Sequence, residues 1–87
     1  MIDPNQFINV ARVVIFSKED CLWCMRTKAF AMLHLNEDEY RVYTAPTQSS
    51  AKNLADWLEP ITGSRCFPQI FVNGVYIGGY RELCRMF

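Results

Sequence analysis

The stretch Cys21-Leu22-Trp23-Cys24 constrains this chain more than any other. An apolar, largely β-branched run, Val13-Val14-Ile15-Phe16, precedes it, and a segment with helical spacing, Met25 to Leu35, follows it. A cysteine pair at a strand-to-helix junction is a chemical device. The first sulfur falls where the helix begins, near unpaired backbone N–H groups and the positive end of the macrodipole. That field favours thiolate over thiol. The second sulfur, one turn in, is close enough to attack a mixed disulfide formed on the first. Cys21 therefore reads as a nucleophile and Cys24 as a resolving thiol. Two other readings fit the spacing alone. The pair could be half of a zinc site completed by Cys66, Cys84 or His34, or it could be two buried apolar thiols.

The 87 residues suffice for one small domain, 1–87, with a single core and a narrow stability margin. Nine basic residues balance nine acidic ones, so no excess of positive charge points to nucleic acid or to a membrane surface. The opening residues, Met1-Ile2-Asp3-Pro4-Asn5, carry an acid and a proline where a secretory leader has basic residues and then an apolar core. No apolar run is long enough to span a bilayer. The expected location is a reducing one, the cytoplasm, where four cysteines read as catalytic or metal-binding rather than as two bridges.

Along the chain, residues 2–9 read as a short helical lead-in docked by Phe7 and Ile8, and 10–16 as a buried strand. Residues 17–20 read as the turn into the cysteine pair. The first long helix is expected over 22–35, with Leu22, Met25, Ala29, Met32 and Leu33 on one stripe taken as core. His34 reads as a solvated or capping residue, 36–39 as a polar turn, and 39–44 as a second strand, which implies a right-handed parallel crossover. A second amphipathic helix follows, marked by Ala51, Leu54, Ala55 and Leu58 and stopped by Pro60. Trp57 packs on a neighbouring loop or stays half-exposed. Residues 63–68 form a tight loop and 69–72 a strand. Asn73-Gly74 makes a strong hairpin turn, 75–77 the return strand, and 80–87 a closing helix. The pattern is β-α-β-α-β-β-α, an α/β arrangement of two parallel strands followed by an antiparallel hairpin.

This order, with a Cys-x-x-Cys pair opening the first long helix, resembles the thioredoxin fold, and within it glutaredoxin of the dithiol type. Ser17-Lys18 stands ahead of Cys21 as in that family's Ser-Lys-x-x-Cys entry segment. Gly63-Ser64-Arg65-Cys66-Phe67-Pro68-Gln69-Ile70-Phe71 is similar to its Gly-x-Arg-Thr-Val-Pro-Gln-Ile-Phe segment. Asn73-Gly74 and Ile77-Gly78-Gly79 match its hairpin and its Ile-Gly-Gly turn. The resemblance implies a four-stranded mixed sheet with helices on both faces and a glutathione-dependent thiol–disulfide oxidoreductase. Cys21 would attack protein disulfides and protein–glutathione mixed disulfides, and glutathione or Cys24 would release the product. Implied partners are glutathione and disulfide-bearing or glutathionylated proteins, with ribonucleotide reductase a usual family client, and the chain is expected to act as a monomer without a metal.

The same resemblance places glutathione in a groove beside Cys21. Phe67 would pair with it through backbone atoms ahead of a cis Pro68. Lys18 and Arg65 would meet its carboxylates. Its γ-glutamyl end would meet backbone N–H groups where Gly79 opens the last helix. Four positions depart from the family pattern. Leu22 replaces a common proline, which makes a glutathione-ligated [2Fe–2S] carrier, shared between two subunits, the alternative reading. Trp23 replaces tyrosine, keeping an aromatic wall and losing a hydroxyl. Glu19 and Asp20 oppose a thiolate at Cys21. Tyr80-Arg81-Glu82 stands where an acid pair or Ser-Asp is usual, so Glu82 is assigned to the γ-glutamyl amine and Arg81 to its carboxylate. Cys66 is expected to be an inert buried thiol, with a third redox thiol as the alternative, and Cys84 a core residue that could also form intermolecular disulfides under oxidation.

Overall fold

The computed structural model describes residues 4–87, so residues 2 and 3 of the expected lead-in, and Met1, lie outside it. The elements in order are α1 (Pro4–Ile8), β1 (Val13–Lys18), α2 (Leu22–His34), β2 (Tyr40–Ala45), α3 (Gln48–Thr62), β3 (Gln69–Val72), β4 (Val75–Gly78) and α4 (Tyr80–Met86). The sheet runs β2-β1-β3-β4. β1 and β2 are parallel, whereas β1–β3 and β3–β4 are antiparallel.

β1 is central, and five of its six residues are buried, which explains its unbroken apolar run. Its side chains still alternate between two cores. Val13 and Ile15 join Ile70 and Val72 under Ala31, Leu35 and Leu83 of the α2–α4 side. Val14 and Phe16 join Phe71 under Leu58 of α3 and Ile8 of α1. Phe7 packs edge-on to Tyr43 and Trp57, so the lead-in docks through the two residues expected of it. Trp57 packs into this aromatic cluster against Phe16. The hairpin turn has Asn73 at φ 51° and Gly74 at φ 78°, both left-handed, as a two-residue turn matched to strand twist requires.

Four expectations are corrected. β1 begins at Val13, not at residue 10, and Val10 is exposed. The same strand runs on through Ser17 and Lys18, because pairing with β2 continues to Lys18 opposite Ala45. Pro60 does not stop α3. Lacking an N–H, it forgoes one bond to the preceding turn while the helix continues to Thr62, and Gly63 at φ 76° ends the helix instead. The largest correction concerns α2. All five residues of its expected core stripe are exposed, with Met32 at 72% and Leu33 at 81%. The buried face is Cys24, Thr27 and Ala31, followed by the capping Leu35. These small side chains let α2 approach the sheet closely.

Candidate active site

β1 delivers the chain to the end of the sheet at Lys18, and Asp20 turns it with a left-handed φ of 56°. Asp is one of the residues that tolerate that region. Cys21 then takes the N-cap position of α2 in extended conformation (φ −123°, ψ 110°). Its Sγ accepts the backbone N–H of Cys24 at 3.3 Å, so a sulfur serves where a hydroxyl or carboxylate oxygen is usual. The same sulfur lies 3.9 Å from the carbonyl oxygen of Phe67. Phe67–Pro68 is a cis peptide, as the resemblance implied.

The two thiols differ in environment. Cys21 is half-buried, and Cys24 is fully buried on the inner face of α2. Burial pushes the Cys24 thiol above its ordinary value of 9.0, helped by its contact with Cys21. The Lys18 backbone and the Ser17 side chain pull the other way.

Two clefts meet at Phe67, whose carbonyl oxygen the Cys21 sulfur approaches. One, of about 450 Å³, is lined by Lys18, Lys52, Arg65 and Phe67, with Glu19 and Asp20 at its edge. Lys18 has no carboxylate partner among the described residues, and its ammonium lies 5.9 Å from the centre of the Phe67 ring. Arg65 is held by Asp56 at 2.8 Å and by Glu59 at 3.3 Å. Asp56 in turn meets Lys52 at 2.9 Å, and Lys52 first, then Arg65, keep its carboxyl below the usual carboxylate range. Arg65 thus reaches this cleft with its charge already answered.

The other cleft, of about 650 Å³, gathers Trp23, Phe67, Pro68, Gly79, Tyr80, Arg81 and Glu82. Trp23 stands between the Tyr80 ring, 5.7 Å away, and the Arg26 guanidinium, 5.0 Å away. Contact with the Cys84 side chain one turn on pushes the Tyr80 hydroxyl up. The Glu82 carboxylate accepts the Gly79 N–H at 2.8 Å. That amide, expected to be open to the γ-glutamyl end, is therefore satisfied within the chain. Gly78 needs to be glycine, since its φ is 118° and a Cβ there would meet the Glu82 carboxylate.

Every sequence-derived residue thus borders one of the two clefts or is part of the cysteine pair, and Phe67 borders both. Two cysteines are corrected. Cys66 is exposed in the larger cleft rather than buried, and Cys84 is half-buried rather than core. Neither completes a metal set, because among the described residues no three of His, Cys, Asp and Glu converge. Sequence reasoning missed Lys52, whose signal was an i,i+4 pairing with Asp56. It also missed Gln69. Fully buried, Gln69 accepts from Thr62 Oγ1 at 2.8 Å and donates to the Ser64 carbonyl at 2.7 Å, which pins the loop carrying Phe67.

A family model described as glutaredoxin matches residues 13–77. The chain belongs to the glutaredoxin family. It is 38% identical over 74 residues to the mitochondrial glutaredoxin-2 of Bos taurus, covering 85% of this chain and 46% of that one. It is 40% identical over 68 residues to glutaredoxin-C8 of Oryza sativa subsp. japonica, covering 77% and 49%. The chain spans about half the length of these curated relatives. Its fold is thioredoxin-like and matches solved glutaredoxins. The dithiolic glutaredoxin 2-C-Grx1 of Trypanosoma brucei brucei superposes with a TM-score of 0.82 at 26% identity, covering 99% of this chain and 87% of that one. A buckwheat glutaredoxin–glutathione complex superposes with a TM-score of 0.77 at 28% identity, covering 93% and 72%.

Proposed function

We propose that this glutaredoxin is a glutathione-dependent thiol–disulfide oxidoreductase, with Cys21 as nucleophile and Cys24 as resolving thiol. The observation that carries the reading is the half-buried Cys21 sulfur at the α2 N-cap, which accepts an amide N–H and lies 3.9 Å from the carbonyl oxygen of Phe67, the residue bordering both clefts. In the proposed cycle the Cys21 thiolate attacks the glutathionyl sulfur of a protein mixed disulfide. That S–S bond breaks, and the protein thiol leaves after taking a proton. A glutathione thiolate then attacks the Cys21 mixed disulfide, forming oxidised glutathione and freeing Cys21. With a protein disulfide as substrate, Cys21 bonds to one client sulfur and Cys24 displaces it, leaving an oxidised Cys21–Cys24 pair that two glutathiones reduce.

Within this proposal the extended tripeptide pairs with the Phe67 backbone ahead of Pro68, flanked by the aromatic wall of Trp23 and Tyr80. Lys18, which has no carboxylate partner among the described residues, takes one glutathione carboxylate, and Arg65 supports it from its ion-pair network. Arg81 and Glu82 receive the γ-glutamyl end beside Gly79, whose N–H stays with the Glu82 carboxylate. A monomer acting in the cytoplasm, with ribonucleotide reductase among its clients, belongs to the same proposal. Size in solution and fractionation against a mitochondrial pool test the first two. The function is tested by NADPH oxidation with glutathione, glutathione reductase and a small glutathione mixed disulfide. A wild-type rate no higher than that of Cys21→Ser overturns it. Cys24→Ser should keep deglutathionylation and lose reduction of protein disulfides, and the reverse pattern overturns the assignment of roles.

A further inference from the structure

The outward face of α2 is apolar and unpartnered among the described residues. Leu22 (58% exposed), Met25 (65%), Ala29, Met32 and Leu33 form a stripe about 16 Å long, starting beside Cys21. At 100° per residue, Arg26 lies about 70° to one side of its centre and Lys28 about 90° to the other. α2 carries no carboxylate, and neither cation has an ion-pair partner among the described residues. Exposed acids stand at both ends, Glu19 and Asp20 before the helix and Glu37 and Asp38 after it.

We propose that this stripe docks an amphipathic, acid-flanked helix of a client protein, placing the client's disulfide-bearing end at Cys21. The charges select this occupant. A second copy of the chain would set basic flank against basic flank, and acidic end against acidic end in either orientation. An anionic lipid surface would attract the flanks and repel both ends of the helix. A client helix with an apolar stripe between carboxylates fits the space between those ends. The client's redox role rests on the oxidoreductase reading, whereas the docking is measured without chemistry. The probe is a helix-stabilised, fluorescent, cysteine-free peptide of about fifteen residues with leucines at i, i+3, i+7 and i+10 flanked by glutamates. Binding is read by anisotropy with the whole chain. Saturable binding is expected, weakened at least tenfold by M25S/M32S, by Lys28→Glu, or by exchanging the peptide's glutamates for lysines. Binding insensitive to these changes overturns the proposal. So does co-sedimentation with phosphatidylserine vesicles, or dimerisation, that M25S/M32S abolishes in place of peptide binding. Turnover of a small mixed disulfide is measured separately and is expected to be unchanged in M25S/M32S. Its absence from the wild type would remove the oxidoreductase reading and leave the binding result standing.

Discussion

The two long helices, α2 and α3, pack on opposite faces of one sheet and are built by different rules. α3 follows the ordinary ones. Thr47 and Ser50 cap its start reciprocally, each side chain accepting the other's backbone N–H at 3.0 Å. Its apolar residues Ala55 and Leu58 face the core, and Lys52, Asp56 and Glu59 form ion pairs on the outside. α2 is capped by the Cys21 thiol, buries small side chains and shows its large apolar ones to solvent. α3 thus carries the ordinary devices of stability, whereas α2 has a thiol at its cap and its large apolar side chains in solvent.

The largest expected effect separates the caps. Cys21→Ser should reduce mixed-disulfide turnover to background, since a hydroxyl can cap the helix but cannot be the nucleophile. Thr47→Ala should leave turnover unchanged. Equal activity losses would erase the distinction. Next come the faces. Leu58→Ala, at a fully buried site, should cost about 2–5 kcal/mol in urea unfolding. Met32→Gln, at an exposed one, should stay within about 0.5 kcal/mol. A large loss at Met32 would mean that the outer face of α2 is covered.

Cys24 sharpens the comparison through pH. Its thiol pKa is raised in the folded state, so burial favours the protonated form, and that contribution to stability is complete below pH 9.0 and fades as pH rises through the higher folded value. For the same reason, release of glutathione by Cys24 should accelerate about tenfold per pH unit through pH 9. A plateau below pH 8 would contradict a buried resolving thiol. The smallest clear effect is the cap itself. Thr47→Ala should cost about 1 kcal/mol of stability, readable as a lower urea midpoint with an unchanged slope.

The same helical spacing was legible in both helices, yet it gave the core face of α3 and the solvent face of α2. Periodicity shows that like residues share a face. It does not show which way the face points when the buried side carries only Cys24, Thr27 and Ala31. The cysteine pair and the Gly78-Gly79 turn were legible because each needs one residue type at one place, and the cis Phe67–Pro68 bond was implied by the family resemblance. The closure of Glu82 on Gly79 and the capture of Arg65 by Asp56 and Glu59 were not, because acids and bases are compatible with many partners until the backbone brings them together.

The sequence by itself determined the order of elements, the buried character of β1, the hairpin turn and the position of the Cys21 sulfur at a helix start. These follow from local preference and short-range spacing. Only the tertiary structure decided which face of α2 meets the sheet, which cations remain free beside Cys21, and that Cys66 faces a cleft. Those are settled by volumes and charges contributed from distant strands and helices, and no local stretch of chain encodes them.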